Sequence, residues 1–268
     1  MSAEFHTDQI NSWDKFTATL RDLSDDWMFR GQSENWPLQT SLERNLKSWD
    51  IDLSRAPSIE DQLVRDFRRQ YRDRGKDHSL AKSDTLYCLA LMQHHGAPTR
   101  LLDFSYSPYV AAKFAIGQGL KHGVVWCIKR KWCAEKAHAI VGDTLREREN
   151  DKPRDNSSFE AIYLRSPKKF VYPENPFHLS ERLIIQQGIF LCPGDISVSF
   201  EQNLTALDGC YEKKNIVKLC LNLTKETART FASQLRRMNI DAAALFPGLD
   251  GFSRSLAERV FHYEDLTN

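Results

Sequence analysis

Gly96 and Pro98 set the strongest local constraint on how this chain can fold. They stand between two helix-forming runs, Leu86–Gln93 and Ser107–Ala115. Pro98 has no N–H to donate, and its ring drives Ala97 out of the helical region, so the two runs cannot be one helix. The segment from Gln93 through His94, His95, Gly96, Ala97, Pro98, Thr99, Arg100, Leu101, Leu102, Asp103 and Phe104 to Ser105 is therefore a turn and a short extended piece. It carries two imidazoles, a guanidinium, a carboxylate and two hydroxyls. A rigid turn between helices is a sound platform for a site.

The 268 residues suffice for one large domain or two small ones, and 41% hydrophobic residues allow a real core. A net charge of +1 argues against a protein built to coat nucleic acid, although a local patch is compatible with it. No apolar run approaches the roughly 20 residues of a membrane span, so no membrane partner is expected. Met1–His6 has neither a basic start nor an apolar stretch, so no secretion signal is expected. The six cysteines (Cys88, Cys127, Cys133, Cys192, Cys210 and Cys220) form no Cys-x-x-Cys pair. Reduced thiols in the cytoplasm are expected, rather than disulfides or a zinc site.

Periodicity predicts a helix over Ile10–Leu23, ended by Asp25-Asp26, then a short strand Trp27–Gly31. Pro37–Leu46 reads as extended and Asp50–Pro57 as a loop. Ser58 is a candidate N-cap for a long helix to about Arg74, and Asp84 for a helix through Gln93. Gly123–Ile128 reads as a buried strand, and the polar stretch around 142–170 as a mobile insertion. Leu183–Ile185 and Ile189–Cys192 read as one strand with a polar break. Ile216–Leu223 is predicted as a strand, Thr224 to Met238 as a helix, Ile240–Leu245 as a last strand and Leu249–Phe261 as a terminal helix. Without strict strand–helix alternation the class is α+β. The expected organisation is an N-terminal helix over 1–23 and one α+β domain over 24–268.

Four motifs follow one another in order: Phe29-Arg30-Gly31 followed by Gln32, the run from Gln93 to Pro108, the series Arg182, Gln186, Gly188 and Phe190, and Leu245-Phe246-Pro247-Gly248-Leu249-Asp250-Gly251. Together they resemble the FRG domain family. The resemblance spans roughly 24–262. That family occurs among bacterial and phage proteins, and the company it keeps implies a toxin or anti-phage defence role. A weaker resemblance is to arginine-dependent ADP-ribosyltransferases. Those place an Arg on an early strand, a Ser-x-Ser strand leading into a helix, and a Glu on a later strand. Here Arg30, then Ser105-Tyr106-Ser107, then the zone Glu181–Phe190 are the counterparts, with Gln186 where the motif falls. The resemblance implies a split, mainly antiparallel sheet flanked by helices, and NAD as substrate.

Cleaving the nicotinamide–ribose bond passes through an oxocarbenium-like species. A guanidinium holds phosphate, an aromatic stacks on nicotinamide, and a carboxylate or strong acceptor steadies the ribose. On this reading Arg30, His94, Ser105, Gln186 and Glu181 are candidate catalytic residues. Arg30, Gln32, Thr99, Arg100, Asp103 and Tyr106 are candidate NAD-binding residues, and no metal is required. Structural alternatives stand beside each. Arg30 or Arg100 pairs with Asp103, His94 and His95 are cations on a helix C-terminus, Gln186 is scaffold, and 245–251 is a packing turn. The arginine-rich helix, with Arg65, Arg68, Arg69 and Arg72, is either a solvated face or a surface for RNA or DNA. Three functions follow: an NAD-using ADP-ribosyltransferase or NAD-cleaving enzyme, a non-catalytic nucleotide or nucleic-acid sensor, and a metal-independent hydrolase or nuclease built on His94 and Asp103.

Overall fold

A computed structural model describes residues 4–23, 26–71, 83–117, 122–150, 156–165, 167–177 and 180–263. Within them the class is α+β, as expected. The seven strands are β1 (Thr7–Ile10), β2 (Trp27–Gln32), β3 (Leu102–Ser105), β4 (Gly123–Lys129), β5 (Val171–Glu174), β6 (Gly188–Pro193) and β7 (Ile216–Leu221). They form one mixed sheet in the order β1-β7-β4-β2-β3-β6-β5. Only β1 and β7 run parallel. β2 aligns with β4 over its full length, from Trp27 opposite Lys129 to Gln32 opposite Val124. Its other edge meets β3 at one registered pair, Phe29 opposite Ser105. The sheet is thus continuous but thinnest in the middle.

Helices flank it: α1 (Trp13–Arg21), α2 (Ser41–Ser48), α3 (Ala56–Tyr71), α4 (Thr85–His94), α5 (Pro108–Ile116), α6 (Arg130–Val141), α7 (Asp143–Asn150), α8 (Asn156–Glu160), α9 (Glu181–Ile185), α10 (Phe200–Thr205), α11 (Lys225–Arg237), α12 (Ala242–Leu245) and α13 (Leu249–Tyr263). Side-chain caps start many of them by accepting from the otherwise orphaned N–H groups. Asp84 accepts from Tyr87 at 3.0 Å, Ser107 from Val110 at 3.3 Å and Thr224 from Thr227 at 3.3 Å. Side chains alternate along β2 and feed two cores. Met28 joins Leu86, Leu89, Phe104 and Trp126 on one face. Trp27 and Phe29 join Ala111, Ala115, Cys127 and Phe231 on the other.

Several expected elements take another form. The predicted first helix begins only at Trp13, because Ser12 caps it and Ile10 ends strand β1. Pro37–Leu46 is not extended. Thr40 caps α2, whose Leu42 and Leu46 sit one turn apart and bury together. The long helix starts at Ala56, after a 3-10 turn at Leu53–Arg55. Leu183–Ile185 lies in α9 rather than on a strand, with Gln187 at φ 48 turning the chain into β6. Ile240–Leu245 ends in a helical turn capped by Asp241, not in a strand. The polar stretch from 142 is helical as α7 and α8 and continues as a π-helical turn at Ala161–Arg165. Arg148 there is buried against Glu174, with Nε to Oε1 at 2.7 Å, and the Tyr163 hydroxyl donates to the same carboxylate at 2.9 Å.

Candidate functional site

The tripeptide Phe29-Arg30-Gly31 has a separate physical role for each residue. Phe29 is buried at 5% exposure against α5. Gly31 lies beneath the same helix so closely that a Cβ would stand 1.8 Å from the Ala111 carbonyl oxygen and 2.7 Å from the Ala115 nitrogen. No other residue type permits that approach. Arg30, between them, points to the opposite face of β2.

There the guanidinium reaches across to β3, and Nη1 donates to the Asp103 carbonyl at 2.8 Å. This is the edge where β2 and β3 share one registered pair, and the side chain takes up a carbonyl next to that joint. We call this place the notch. Arg30 is half-buried overall, while its Nε is enclosed with no hydrogen-bond partner among the described residues. Burial lowers its pKa to about 10, the Asp103 carboxylate opposing and Arg44 of α2 adding to the drop.

A second arginine, Arg182 of α9, lies in the field of the same Asp103 carboxylate. Burial lowers the Arg182 pKa as well, again against the pull of Asp103 and with Arg254 adding to it. Arg182 and Arg254 both lie over the Phe246 ring, at 4.8 and 5.3 Å from its centroid. Such contacts hold a guanidinium in place without neutralising it. His94, exposed at the end of α4, has its pKa lowered by partial burial, by His95 and by Arg182. Its imidazole is therefore more often neutral than an ordinary one. That environment disfavours the expected dipole-stabilised cation. Asp103, with its side chain exposed, is thus a carboxylate whose field acts on two guanidiniums.

Other candidates are engaged in holding the fold. The Ser105 hydroxyl donates to the Gln186 carbonyl at 2.7 Å and accepts from the Ser107 amide at 2.9 Å. Gln186 caps α9, and its side-chain amide donates to the Leu245 carbonyl at 3.0 Å. Two of the later motifs are thereby tied to β3 and to each other. Gln32 is buried and accepts from the Trp126 indole at 2.8 Å. Thr99 is wholly buried, bonded to the Gln93 side chain and to Ser41. Arg100 is a correction to both of its expected roles. It is 1% exposed and grips Glu60 of α3 through Nε at 2.7 Å and through Nη2, with Nη1 on the Tyr163 carbonyl at 3.1 Å. It therefore neither faces a ligand nor pairs with Asp103. Glu181 is exposed in the first turn of α9.

Tyr106 belongs elsewhere. It lines an open cleft of about 640 Å³ together with Trp13, Trp27, Phe29 and Tyr109. Because Trp27 and Phe29 face that cleft, Arg30 stands on the other side of the sheet from it. Of the arginines on α3, Arg65 pairs with Asp61 at 2.8 Å and Arg68 donates to the Thr85 hydroxyl at 2.9 Å. Arg72 lies outside the described residues.

Sequence reading overlooked Arg44, Arg182, Phe246 and Arg254 as members of this site. Arg182 opens the Arg-x-x-x-Gln motif and Phe246 lies in the closing one, so both had a signal. Arg44 was hidden in a segment read as extended. Among the described residues no group of three or more His, Cys, Asp or Glu could hold a metal, and no helix is long and apolar enough to cross a membrane.

Comparison with known proteins adds one family. Residues 25–123 match the model of the FRG domain, so the match contains the Phe-Arg-Gly tripeptide and the whole histidine-bearing turn. No curated protein and no solved structure matches the chain. The motifs at 182–190 and 245–251 lie outside the matched span, yet they pack onto it through Ser105 and Gln186. At residues 25–123 the chain is thus similar to the FRG domain.

Proposed function

We propose that the notch binds a phosphate-bearing nucleotide of the NAD or ADP-ribose type, and that the chain is a nucleotide-sensing module. The observation that carries this reading is Arg30. A half-buried guanidinium keeps its Nε unpartnered among the described residues, with Arg44 as a further cation and Asp103 as the carboxylate acting on it, and the same Asp103 acts on Arg182. Buried polar groups ordinarily find partners, and an anion with several acceptor oxygens is the chemistry that satisfies such a cluster. The early-strand arginine followed by a serine strand and helix also follows the order of ADP-ribosyltransferases, which supports a nucleotide over other anions. The neutral groups enlisted for catalysis, by contrast, are occupied. Ser105 and Gln186 hold the scaffold, and Gln186 supplies no negative charge.

Calorimetric titration with NAD and ADP-ribose tests the proposal, with free nicotinamide followed in parallel. We expect binding by wild type, at least about tenfold weaker in Arg30→Ala, the scale of losing a charge-assisted pair. Nicotinamide release is expected to stay at background. Binding unchanged by Arg30→Ala contradicts the proposal. A second reading, NAD cleavage, is favoured by one observation: Asp103 puts a carboxylate at the notch where Gln186 cannot. Nicotinamide release by wild type that disappears in Asp103→Asn establishes it instead.

A further inference from the structure

We propose that the cleft on the far side of β2 is a second binding site, for a small flat aromatic molecule carrying a negative charge. It is independent of the notch, since Trp27 and Phe29 line it while Arg30 projects from the opposite face of the strand. Its volume of about 640 Å³ falls in the range of small-molecule pockets, about 300–1,000 Å³.

The walls come from three separate segments, and their rings are held by contacts with one another and with residues behind them. Trp13 of α1 packs edge-on against Phe231 at 5.1 Å and lies 6.0 Å from Tyr109 at 30°. Tyr106, 36% exposed, has its hydroxyl fixed by Asn175, donating to Oδ1 at 3.3 Å and accepting from Nδ2 at 2.9 Å. A ring slid between such walls stacks without requiring them to move, which lowers the cost of binding.

Charge decides what the ring carries. Arg21, in the last turn of α1, is the one charged residue lining the cleft among the described residues. It is exposed and makes no ion pair or hydrogen bond among the described residues. Aromatic walls with a guanidinium at the rim, unpartnered among the described residues, complement an aromatic carboxylate or phosphate. A nucleic-acid strand needs a basic track along its backbone, and among the described residues this cleft offers a single cation.

Saturation-transfer NMR on the full chain tests the assignment, with 2-naphthoate as probe and neutral 2-naphthol as its uncharged match. Wild type is expected to bind 2-naphthoate with a Kd near or below about 1 mM. Arg21→Gln, a surface change that leaves the core alone, is expected to weaken the carboxylate about threefold and leave 2-naphthol unchanged, the scale of one exposed charge pair. Tyr106→Ser is expected to weaken both probes, and Arg30→Met neither. No transfer to 2-naphthoate at about 5 mM, where even a millimolar site fills, overturns the proposal. So does Arg21→Gln binding the carboxylate as well as wild type, or a single-stranded oligonucleotide binding where 2-naphthoate does not. Because Arg30→Met serves as the control, failure here leaves the nucleotide reading of the notch untouched.

Discussion

At Arg30 two requirements oppose each other. Burial and Arg44 disfavour its charge, and only the field of Asp103 and one carbonyl offset them. The folded-state pKa, about 10, lies below the ordinary value. A cation with a lowered folded pKa destabilises the fold wherever it is protonated, and that cost fades only as pH rises past the folded value. At neutral pH the charge therefore costs stability. Arg30→Met keeps most of the volume and removes the charge, so its Tm is expected to equal or exceed that of wild type while nucleotide binding is lost. A clear fall in Tm contradicts this trade of stability for binding. His94 supplies the pH dependence. Its pKa lies below the ordinary histidine value, so it becomes charged only as pH falls. An added cation beside Arg182 tightens anion binding. We expect Kd for ADP-ribose to improve about two- to threefold from pH 8 to pH 5.5, and His94→Gln to abolish that change. The tripeptide and the turn were legible as residues because the backbone demands them: Gly31 under α5, Pro98 after the α4 turn. The roles of Ser105 and Gln186 were not. Both bond to backbone carbonyls across the fold, and a carbonyl has no sequence signature.

Among elements, buried ion pairs join what the sequence separates. Arg100 on the turn and Glu60 on α3 form one pair, Arg148 on α7 and Glu174 on β5 another. Tyr163 touches both, giving its carbonyl to Arg100 and its hydroxyl to Glu174. Breaking one partner of such a pair leaves an uncompensated buried charge. Glu60→Gln is expected to cost about 3–5 kcal/mol in urea unfolding by that measure, and a loss below about 1 kcal/mol contradicts the role assigned to the pair. Nothing within reach of Arg100 in sequence named Glu60 as its partner; Asp103 lay nearer and was the natural candidate. Longer elements announced by a cap, such as α4 behind Asp84 and α11 behind Thr224, and the continuous apolar run of β4 were legible. The five-residue α9 and four-residue α12 are too short to show a helical period, and their apolar letters suit a strand equally well.

For the whole molecule, the sheet order explains why the site needs more than the matched span. β2 and β3 lie inside 25–123, but β2 is held along its length by β4, and β3 along its length by β6. Arg182, which lies in the field of Asp103, and Gln186, whose carbonyl accepts from Ser105 of β3, come after the match ends. A fragment of residues 25–123 is therefore expected to lack cooperative thermal unfolding by circular dichroism; a cooperative transition in that fragment contradicts the account. The α+β class followed from the irregular order of helices and strands, while the thin joint between β2 and β3 did not, since register across a sheet is written in no single segment. The central claim is that this joint, with Arg30 at its edge, is an anion-binding site. Calorimetric titration of wild type and Arg30→Met with ADP-ribose at pH 7.5 tests it most directly. The account predicts saturable binding by wild type and at least about tenfold weaker binding by the variant. Equal binding by both, or none by wild type, contradicts it.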